Sequence, residues 1–453
     1  MSTTLQARPV PDLVTAVPGP KAREHIAFDH AWTSPSLPRA YPLVPARGSG
    51  ATIEDIDGNL FLDFAAGIAV NSTGHSHPDV VAAIQAQATE LQHMSASDFY
   101  LPIYAEAAAE LARISPMEDG ARVFIGNSGA EAVEAGIKLA RHHTGRPNVI
   151  AFLGSFHGRT MGAVSLTASK AKYHAGFGPM LPGVYHVPYG SGGLDEIEDR
   201  IFTRLMPADE FAAVIVEPIQ GEGGYLVPDD DFLPRLRDLC DRRGILLIAD
   251  EVQSGAGRTG KMWAIEHWDI EPDILLTAKG IGSGMPVGAM IARSDVMTWG
   301  PGAHGSTYGG NPVSLAAMLA TIRLLEGGLV ANAAVRGHQL MAALSPLADH
   351  FPTLVREVRG KGLMIGIEFE SAQAAHTVQL QAFERGLLVL EAGDTAVRMS
   401  PPLIISEAEV DTAVRLFTEA VAHVAGHEAE DVEELEAEIR AGLVTEGFGA
   451  SGR

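Results

Sequence analysis

Short apolar runs alternate with helical patterns through the middle of the chain. The runs are RVFIGN (122–127), NVIAFLG (148–154), FAAVIVEP (211–218), GILLIAD (244–250), DILLTAKG (273–280) and VGAMIAR (287–293), each of a length suited to a strand. Between them, GAEAVEAGIKLARHHTG (129–145) and DDFLPRLRDLCDRRG (230–244) carry apolar residues at helical spacing. This alternation predicts an α/β domain around a mostly parallel sheet. Upstream, GATIEDIDGNLFLDFAAG (50–67) alternates with period two around Asp57-Gly58, a hairpin signal. Downstream, LVREVRGKGLMIGIEFE (354–370) and GLLVLEAGDTAVRMSPPL (386–403) return to short strands, and EAEVDTAVRLFTEAVAHVAG (407–426) reads as a helix. The expected organisation is a large domain over 76–330 and a small α+β domain built from both ends of the chain, residues 1–75 and 331–426. An acidic tail, 427–453, ends in GFGASGR. No internal repeat is present.

The length, 453 residues, gives a prior of roughly three domains, though large α/β enzymes use fewer and bigger ones. Lys plus Arg (33) against Asp plus Glu (56) leaves a net charge of −23, which repels phosphate backbones and anionic membrane surfaces, so nucleic acid is not an expected partner. Cys240 is the single cysteine and lies beside a helical apolar stripe, so no intrachain disulfide can form and an inert buried thiol in a reducing cytosol is expected. The first twenty residues lack a basic start followed by an apolar core, and no apolar run approaches bilayer length, so a cytoplasmic protein without a membrane partner is predicted.

Candidate chemistry sits where buried strands end. In an open parallel sheet, ligands bind outside the carboxyl ends of the strands. Asp250 ends ILLIAD and Lys279 ends ILLTAK, and charges so placed are costly unless paired or used. A bound pyridoxal phosphate would use both, because its aldehyde condenses with a lysine amine and its ring nitrogen needs a carboxylate to hold it protonated. An Asp–Lys salt bridge at the sheet edge explains the same two residues. In IGNSGAEAVEAG (125–136), a helix starts at Ser128-Gly129-Ala130, where free N–H groups and the helix dipole favour an anion, while an ordinary Ser N-cap is the simpler account. GAGRTG (255–260) has the spacing of a dinucleotide loop. However, Glu-Val-Gln-Ser separates it from its strand and Asp250 would repel a pyrophosphate, so its glycines are read as permitting a tight turn. KGIGSGMPVG lacks the Gly-Lys-Ser/Thr ending of a P-loop. His75, His77, His142 and His143 lack zinc-ligand companions and are read as capping or surface residues, with no metal expected.

Seven blocks occur in one order: NSGAEAVEAGIKLAR, SFHGRT, VEPIQGEGG, LLIADEVQSGAGRTG, LLTAKGIGSGMPVGA, STYGGNP and VRMSPPL. In this the chain resembles the class III pyridoxal phosphate aminotransferases, from about residue 40 to residue 425, with motifs closest to the 4-aminobutyrate and acetylornithine aminotransferases. The resemblance implies fold type I, with a large domain and a small α+β domain, and a homodimer or dimer of dimers. It casts Lys279 as the Schiff-base lysine, Asp250 as the partner of the pyridine nitrogen and Val252 as the residue packed behind the ring. Gln253 resembles the contact to the ring hydroxyl and Phe156 the aromatic on the ring's front, with His157 beside it in the cofactor-binding set. Ser128, Gly129 and Ala130 match the phosphate loop, and Thr307 a hydroxyl that reaches the phosphate from the neighbouring subunit.

The same resemblance implies the substrate contacts. Arg159 corresponds to an arginine for the distal carboxylate of glutamate or 4-aminobutyrate, which a guanidinium fork takes bidentately. Arg398 corresponds to the arginine for the α-carboxylate of glutamate and 2-oxoglutarate, and Glu222 to the gate that pairs with it when a substrate has no such group. Ile68 stands where ornithine aminotransferases carry a tyrosine, which favours the 4-aminobutyrate type. The implied reaction moves an amino group from an ω-amine to 2-oxoglutarate, giving a semialdehyde and glutamate, with Lys279 as covalent anchor and general acid/base. Acetylornithine, ornithine or broad ω-amine transamination is the alternative. An amino-acid racemase on the same scaffold is the rival from another class, and a cofactor-binding regulator is disfavoured by ends too short and acidic for a DNA-binding module.

Overall fold

The computed structural model describes residues 8–426. The acidic segment 427–453 therefore lies outside the described residues, as do residues 1–7. After a helix, Pro20–Trp32, come strands Pro45–Ser49 (β1), Thr52–Asp55 (β2) and Leu60–Asp63 (β3), the last two joined by the expected hairpin. The Asp55 carboxylate closes that turn by accepting from the amides of Asp57 (2.9 Å) and Asn59 (2.8 Å).

The middle of the chain contributes Ala121–Gly126 (β4), Asn148–Phe152 (β5), Val184–Val187 (β6), Phe211–Val216 (β7), Leu246–Asp250 (β8), Ile274–Thr277 (β9) and Gly288–Arg293 (β10). They form one seven-stranded sheet in the order β4-β10-β9-β8-β7-β5-β6. Only β10 runs against its neighbours, pairing antiparallel with both β4 and β9, so the other six strands all point their carboxyl ends at one edge. Strands β5, β7, β8 and β9 are buried along their whole length, which is why the sequence shows them as unbroken apolar runs rather than alternating ones. Short β6, with only Val187 buried, carries no comparable run and was not visible in the pattern.

Beyond the large sheet, Val355–Lys361 (β11), Met364–Phe369 (β12), Leu387–Leu388 (β13), Leu390–Ala392 (β14) and Ala396–Met399 (β15) follow. Four of them form an antiparallel sheet ordered β11-β12-β15-β14, and β13 instead joins β1, β2 and β3. The two ends of the chain thus share a sheet. Phe61 stacks on Phe383 at 5.4 Å between ring centroids, and Tyr41 caps Val389 through its hydroxyl.

The stretch Pro312–His350 corrects the reading that no apolar segment approaches membrane length: it is long and apolar enough to cross a bilayer. Half of its most apolar window is buried inside the fold, and ten of the thirteen residues of helix Pro312–Leu324 are core. A helix that is apolar around most of its circumference is the expected result of being enclosed by protein. Its length reads as continuous only because it runs through Gly328, at φ 139°, into the next helix.

Candidate active site

A cavity of roughly 460 Å³ opens at the carboxyl edge of the seven-stranded sheet, in the size range of small-ligand sites. Its floor is made by what each buried strand delivers on leaving the sheet. After β4 come Asn127 and Ser128; after β5, Phe156 and His157; after β7, Glu217; after β8, Asp250, Val252 and Gln253; after β9, Ala278 and Lys279. Met285, Pro286 and Val287, which lead into the reversed strand β10, complete the wall.

Asp250 does not pair with Lys279. Its Oδ2 lies 2.6 Å from Nδ1 of His157, both side chains are buried, and Oδ1 accepts from the Val252 amide at 3.1 Å. The salt bridge considered for the strand ends is therefore not the partnership of Asp250. Lys279 sits at φ 45°, a left-handed conformation that is unfavourable for a side-chain-bearing residue and is found where function fixes the backbone. Burial holds its amine below the usual lysine range, against the pull of Glu222, Glu217 and Asp250.

At the start of helix Gly129–Thr144, Ser128 is the N-cap and accepts from the Glu131 amide at 3.2 Å. The helix itself cannot satisfy the amides of Gly129 and Ala130, and both residues line the cavity, so the cap and the anion site coexist. Gly129 is required by close approach: a Cβ there would stand 2.8 Å from Cγ1 of Val252. The residue expected behind the cofactor ring and the residue expected at its phosphate are thus in contact.

A second group lies beside this floor. Glu222 and Arg398 form a short ion pair, and Nη1 of Arg398 also donates to Oε1 of Gln253 at 3.3 Å, which links the pair to the cavity wall. Burial would raise Glu222, but the Arg398 charge and hydrogen bond keep it below its ordinary range. Burial likewise works against the Arg398 cation, and Glu222 more than offsets it, so the guanidinium stays fully charged. The Glu222 loop is pinned from the C-terminal sheet. Gly393 donates to the Glu222 carbonyl at 2.8 Å, and Arg359 donates twice to the Gly224 carbonyl at 3.1 and 2.7 Å.

Arg159 lines the cavity with its guanidinium 4.5 Å from the Tyr173 ring centre, and no ion pair engages it among the described residues. Besides Glu222 and Arg398, two further expected residues stand apart from the cavity lining. Ile68 is 44% exposed on a turn whose four residues, Ala66 to Ala69, all have φ between 46° and 67°. Asp63 steadies that turn by accepting from the amides of Ala65 (2.8 Å) and Ala66 (2.9 Å). Thr307 is exposed, while Ser306 beside it accepts from Asn127 at 3.2 Å.

Other residues take structural places. His77 caps helix Pro78–Glu90, His75 bonds Asp63 at 2.7 Å, and His142 and His143 are exposed in a last helical turn. No cluster of metal-ligating side chains occurs among the described residues. In GAGRTG, Gly257 and Gly260 turn the chain at φ 82° and 85°, and the buried Arg258 donates to the carbonyls of Leu363 (3.1 Å) and Pro401.

Glu217 was missed from the sequence although its signal was there, since it ends an apolar strand as Asp250 does. It is 4% exposed and accepts from the amides of Phe156 (3.1 Å) and Gly221 (3.2 Å), and burial pushes it up to about 7. Its carboxylate ties the Phe156 loop to the Glu222 loop. Tyr173 was also missed, because a lone tyrosine in a Gly-rich loop has no pattern to mark it.

The profile of the Aminotransferase class-III family matches residues 35–421. The chain belongs to the class III aminotransferases. It is therefore a pyridoxal phosphate-dependent transaminase of fold type I. It is 46% identical over 383 residues to the acetylornithine aminotransferase of Methanopyrus kandleri, covering 84% of this chain and 95% of that one. It is 36% identical over 440 residues to an alanine/serine racemase of Pyrococcus horikoshii, covering 91% and 92%. Among solved structures, the ornithine aminotransferase of Toxoplasma gondii ME49 superposes with a TM-score of 0.82 at 32% identity, covering 89% of this chain and 95% of that one. An amine transaminase from an uncultivated Pseudomonas species, solved with pyridoxal phosphate bound, gives 0.80 at 33%, covering 87% and 98%.

The cavity of this transaminase suits its cofactor on the chain's own evidence. The unsatisfied first-turn amides offer an anion site, buried Asp250 offers a carboxylate to a protonated ring nitrogen, and Lys279 offers an amine of lowered basicity within one cavity.

Proposed function

We propose that this transaminase moves the terminal amino group of acetylornithine, or of a similar ω-amine that carries a remote carboxylate, to 2-oxoglutarate. One observation carries the reading. Of the two arginines, buried Arg398 is neutralised by Glu222, while Arg159 keeps an unpaired guanidinium in the cavity. Such a site takes a donor with a single remote carboxylate through Arg159 while the Glu222–Arg398 pair stays closed. It takes glutamate or 2-oxoglutarate when Arg398 exchanges Glu222 for the substrate's α-carboxylate. Acetylornithine and 4-aminobutyrate make the same demand on these arginines, so charge does not choose between them. The names of the relatives favour acetylornithine or ornithine over the 4-aminobutyrate type inferred from Ile68, and Ile68 does not line the cavity.

When bound, the cofactor supplies an electron sink for the substrate carbon that loses its proton. The chain's residues do the rest. Lys279 Nζ anchors the cofactor and carries the proton, and its burial disfavours the charged ammonium relative to the free amine. Asp250, oriented by His157, would hold the ring nitrogen protonated, and Val252 and Phe156 would pack against the ring. Ser128, Gly129 and Ala130 would bind the phosphate, and Gln253, which accepts from Arg398, would face the ring hydroxyl. We also propose that residues 76–330 form the large domain and that both ends of the chain build the small one, which the pairing of β13 with β3 supports. A dimer in which Thr307 serves the partner's phosphate site accounts for its exposure. A cytosolic setting is consistent with Cys240, a single buried thiol that burial pushes up to about 12.

The test is a panel of amino donors with 2-oxoglutarate as acceptor, reading glutamate formed. The reading requires acetylornithine to lead ornithine and 4-aminobutyrate, and it fails if none of the three outpaces simple α-amino acids. Racemisation is a second reading, supported by the relative whose alignment covers 91% of the chain. Chiral analysis of alanine and serine without any acceptor separates the two, since a racemase needs no 2-oxo acid.

A further inference from the structure

Arg159 lies exposed at the mouth of the cavity, and a long side chain in that position would lose considerable rotamer freedom on gripping a carboxylate. One aromatic ring limits that freedom. The Arg159 guanidinium carbon is 4.5 Å from the Tyr173 ring centre and 5.9 Å from that of Phe156, and the two rings meet edge to face at 5.7 Å and 74°. Lys172 approaches the Tyr173 ring at 5.7 Å, so two cations share it. No hydrogen bond to the Tyr173 hydroxyl occurs among the described residues, which leaves the face of the ring as its means of contact.

The turn that carries Tyr173 is itself fixed to the piece of chain that carries Phe156 and Arg159. His174 donates through Nε2 to the Val164 carbonyl at 2.8 Å. Ala168 donates to the Ser155 carbonyl at 2.9 Å and accepts from Gly154 at 3.1 Å, and the Leu181 amide reaches the Ser165 hydroxyl at 2.8 Å. Both ends of the loop are therefore tied down, which keeps the backbone that carries the ring beside the segment that carries Arg159.

We propose that Tyr173 is a positioning residue for substrate recognition: its ring is the platform that holds the Arg159 guanidinium over Phe156, ready for the remote carboxylate. The proposal rests on the reading of Arg159 given above. A ring face attracts a guanidinium by its quadrupole and leaves the N–H fork, which lies in the guanidinium plane, free for the carboxylate oxygens. An acidic partner would hold the arginine equally well but would compete with the substrate. The platform therefore orients the arginine without neutralising it.

The test uses the holoenzyme and glutarate, a dicarboxylate that cannot react, with its dissociation constant read from the cofactor absorbance and by calorimetry. Tyr173→Leu and Tyr173→Gln should each weaken glutarate about three- to tenfold, the span expected when a partly exposed cation–π contact is lost. Tyr173→Phe should stay within about twofold, because the ring and not the hydroxyl acts. The rate of the amine half-reaction at saturating n-butylamine, which has no carboxylate for Arg159 and is read without any 2-oxo acid, should be unchanged in all three. Arg159→Met should weaken glutarate more, and adding Tyr173→Leu to it should have no further effect. Unchanged glutarate binding in both non-aromatic variants, an equal loss in Tyr173→Phe, or an undiminished Tyr173 effect in the Arg159→Met background would each overturn the platform. If Arg159→Met itself leaves glutarate binding intact, the fault lies with the assignment of Arg159 and the proposed function falls first.

Discussion

The two sides of the cavity are built differently. On the sheet side, Asp250, Glu217 and Lys279 follow buried strands, and the groups around them are held in place. His157 binds Asp250 at 2.6 Å, and the Phe156 and Gly221 amides bind Glu217. On the other side, Glu222 and Arg398 come from separate segments and neutralise each other. A carboxylate from the substrate can do for Arg398 what Glu222 does, whereas nothing a substrate brings can replace the support of Asp250. On the function proposed above, one side is a permanent frame for the cofactor and the other an exchangeable pair for selecting substrates. Removal of a frame residue should therefore affect every substrate alike, and removal of a gate residue should separate them.

The largest effect should fall on the frame. Lys279→Ala should lower turnover with every donor by at least about a thousandfold, since both covalent anchor and proton carrier are lost. The wild type should be yellow, and borohydride should bleach that colour while fixing the cofactor covalently to Lys279. Substantial turnover in the variant with any donor would break the idea of a common frame.

Glu217 offers a pH test of the same side. Burial raises its pKa from 4.5 to about 7, so the folded protein favours the neutral form. A group raised on folding contributes stability that is complete below its unfolded value and is lost as pH rises through the folded one. Compared with Glu217→Gln, the cofactor-free wild type should thus lose about 3 kcal/mol between pH 4.5 and pH 7.5, at about 1.4 kcal/mol per pH unit. Denaturant titrations of the two proteins across that range should converge at low pH and diverge at high pH. Parallel curves would show that Glu217 stays ionised through its two amide contacts.

A smaller effect is expected at Thr307. If the neighbouring subunit supplies this hydroxyl, Thr307→Ala should weaken cofactor retention by at least about tenfold, the loss of one hydrogen bond to a charged group, without changing the donor preference. Activity should also require at least a dimer by light scattering. A fully active monomer would contradict that placement.

The frame was legible in the local pattern of the sequence and the gate only through family resemblance, for a physical reason. Strands β8 and β9 are buried on both faces, so each appears as an apolar run whose first charged residue marks the sheet edge, Asp250 in one and Lys279 in the other. The same rule marks Glu217 after β7. Strand β6, partly exposed and four residues long, left no such mark. The pairing of Glu222 with Arg398, the Arg359 clamp on Gly224 and the Tyr173 platform depend on loops brought together by the fold, and no local spacing encodes them. Family resemblance supplied Glu222, Arg398 and Arg159. It did not supply Tyr173 or the His157 contact that occupies Asp250. The stretch after Pro312 shows a different failure: the sequence reading finds no run of bilayer length, although this helix is long and apolar enough to cross one, and burial explains its composition.

The exchangeable gate is tested most directly by stopped-flow measurement of the two half-reactions in wild type and Glu222→Ala. Removing Glu222 leaves Arg398 buried and unpaired against any donor that has no α-carboxylate at the reacting carbon, a loss on the order of several kcal/mol. The account predicts a fall of at least about a hundredfold with acetylornithine or 4-aminobutyrate. With glutamate it predicts a small loss or a gain, because Arg398 no longer has an ion pair to break. Equal losses with both classes of donor would contradict it and would leave Glu222 as part of the frame.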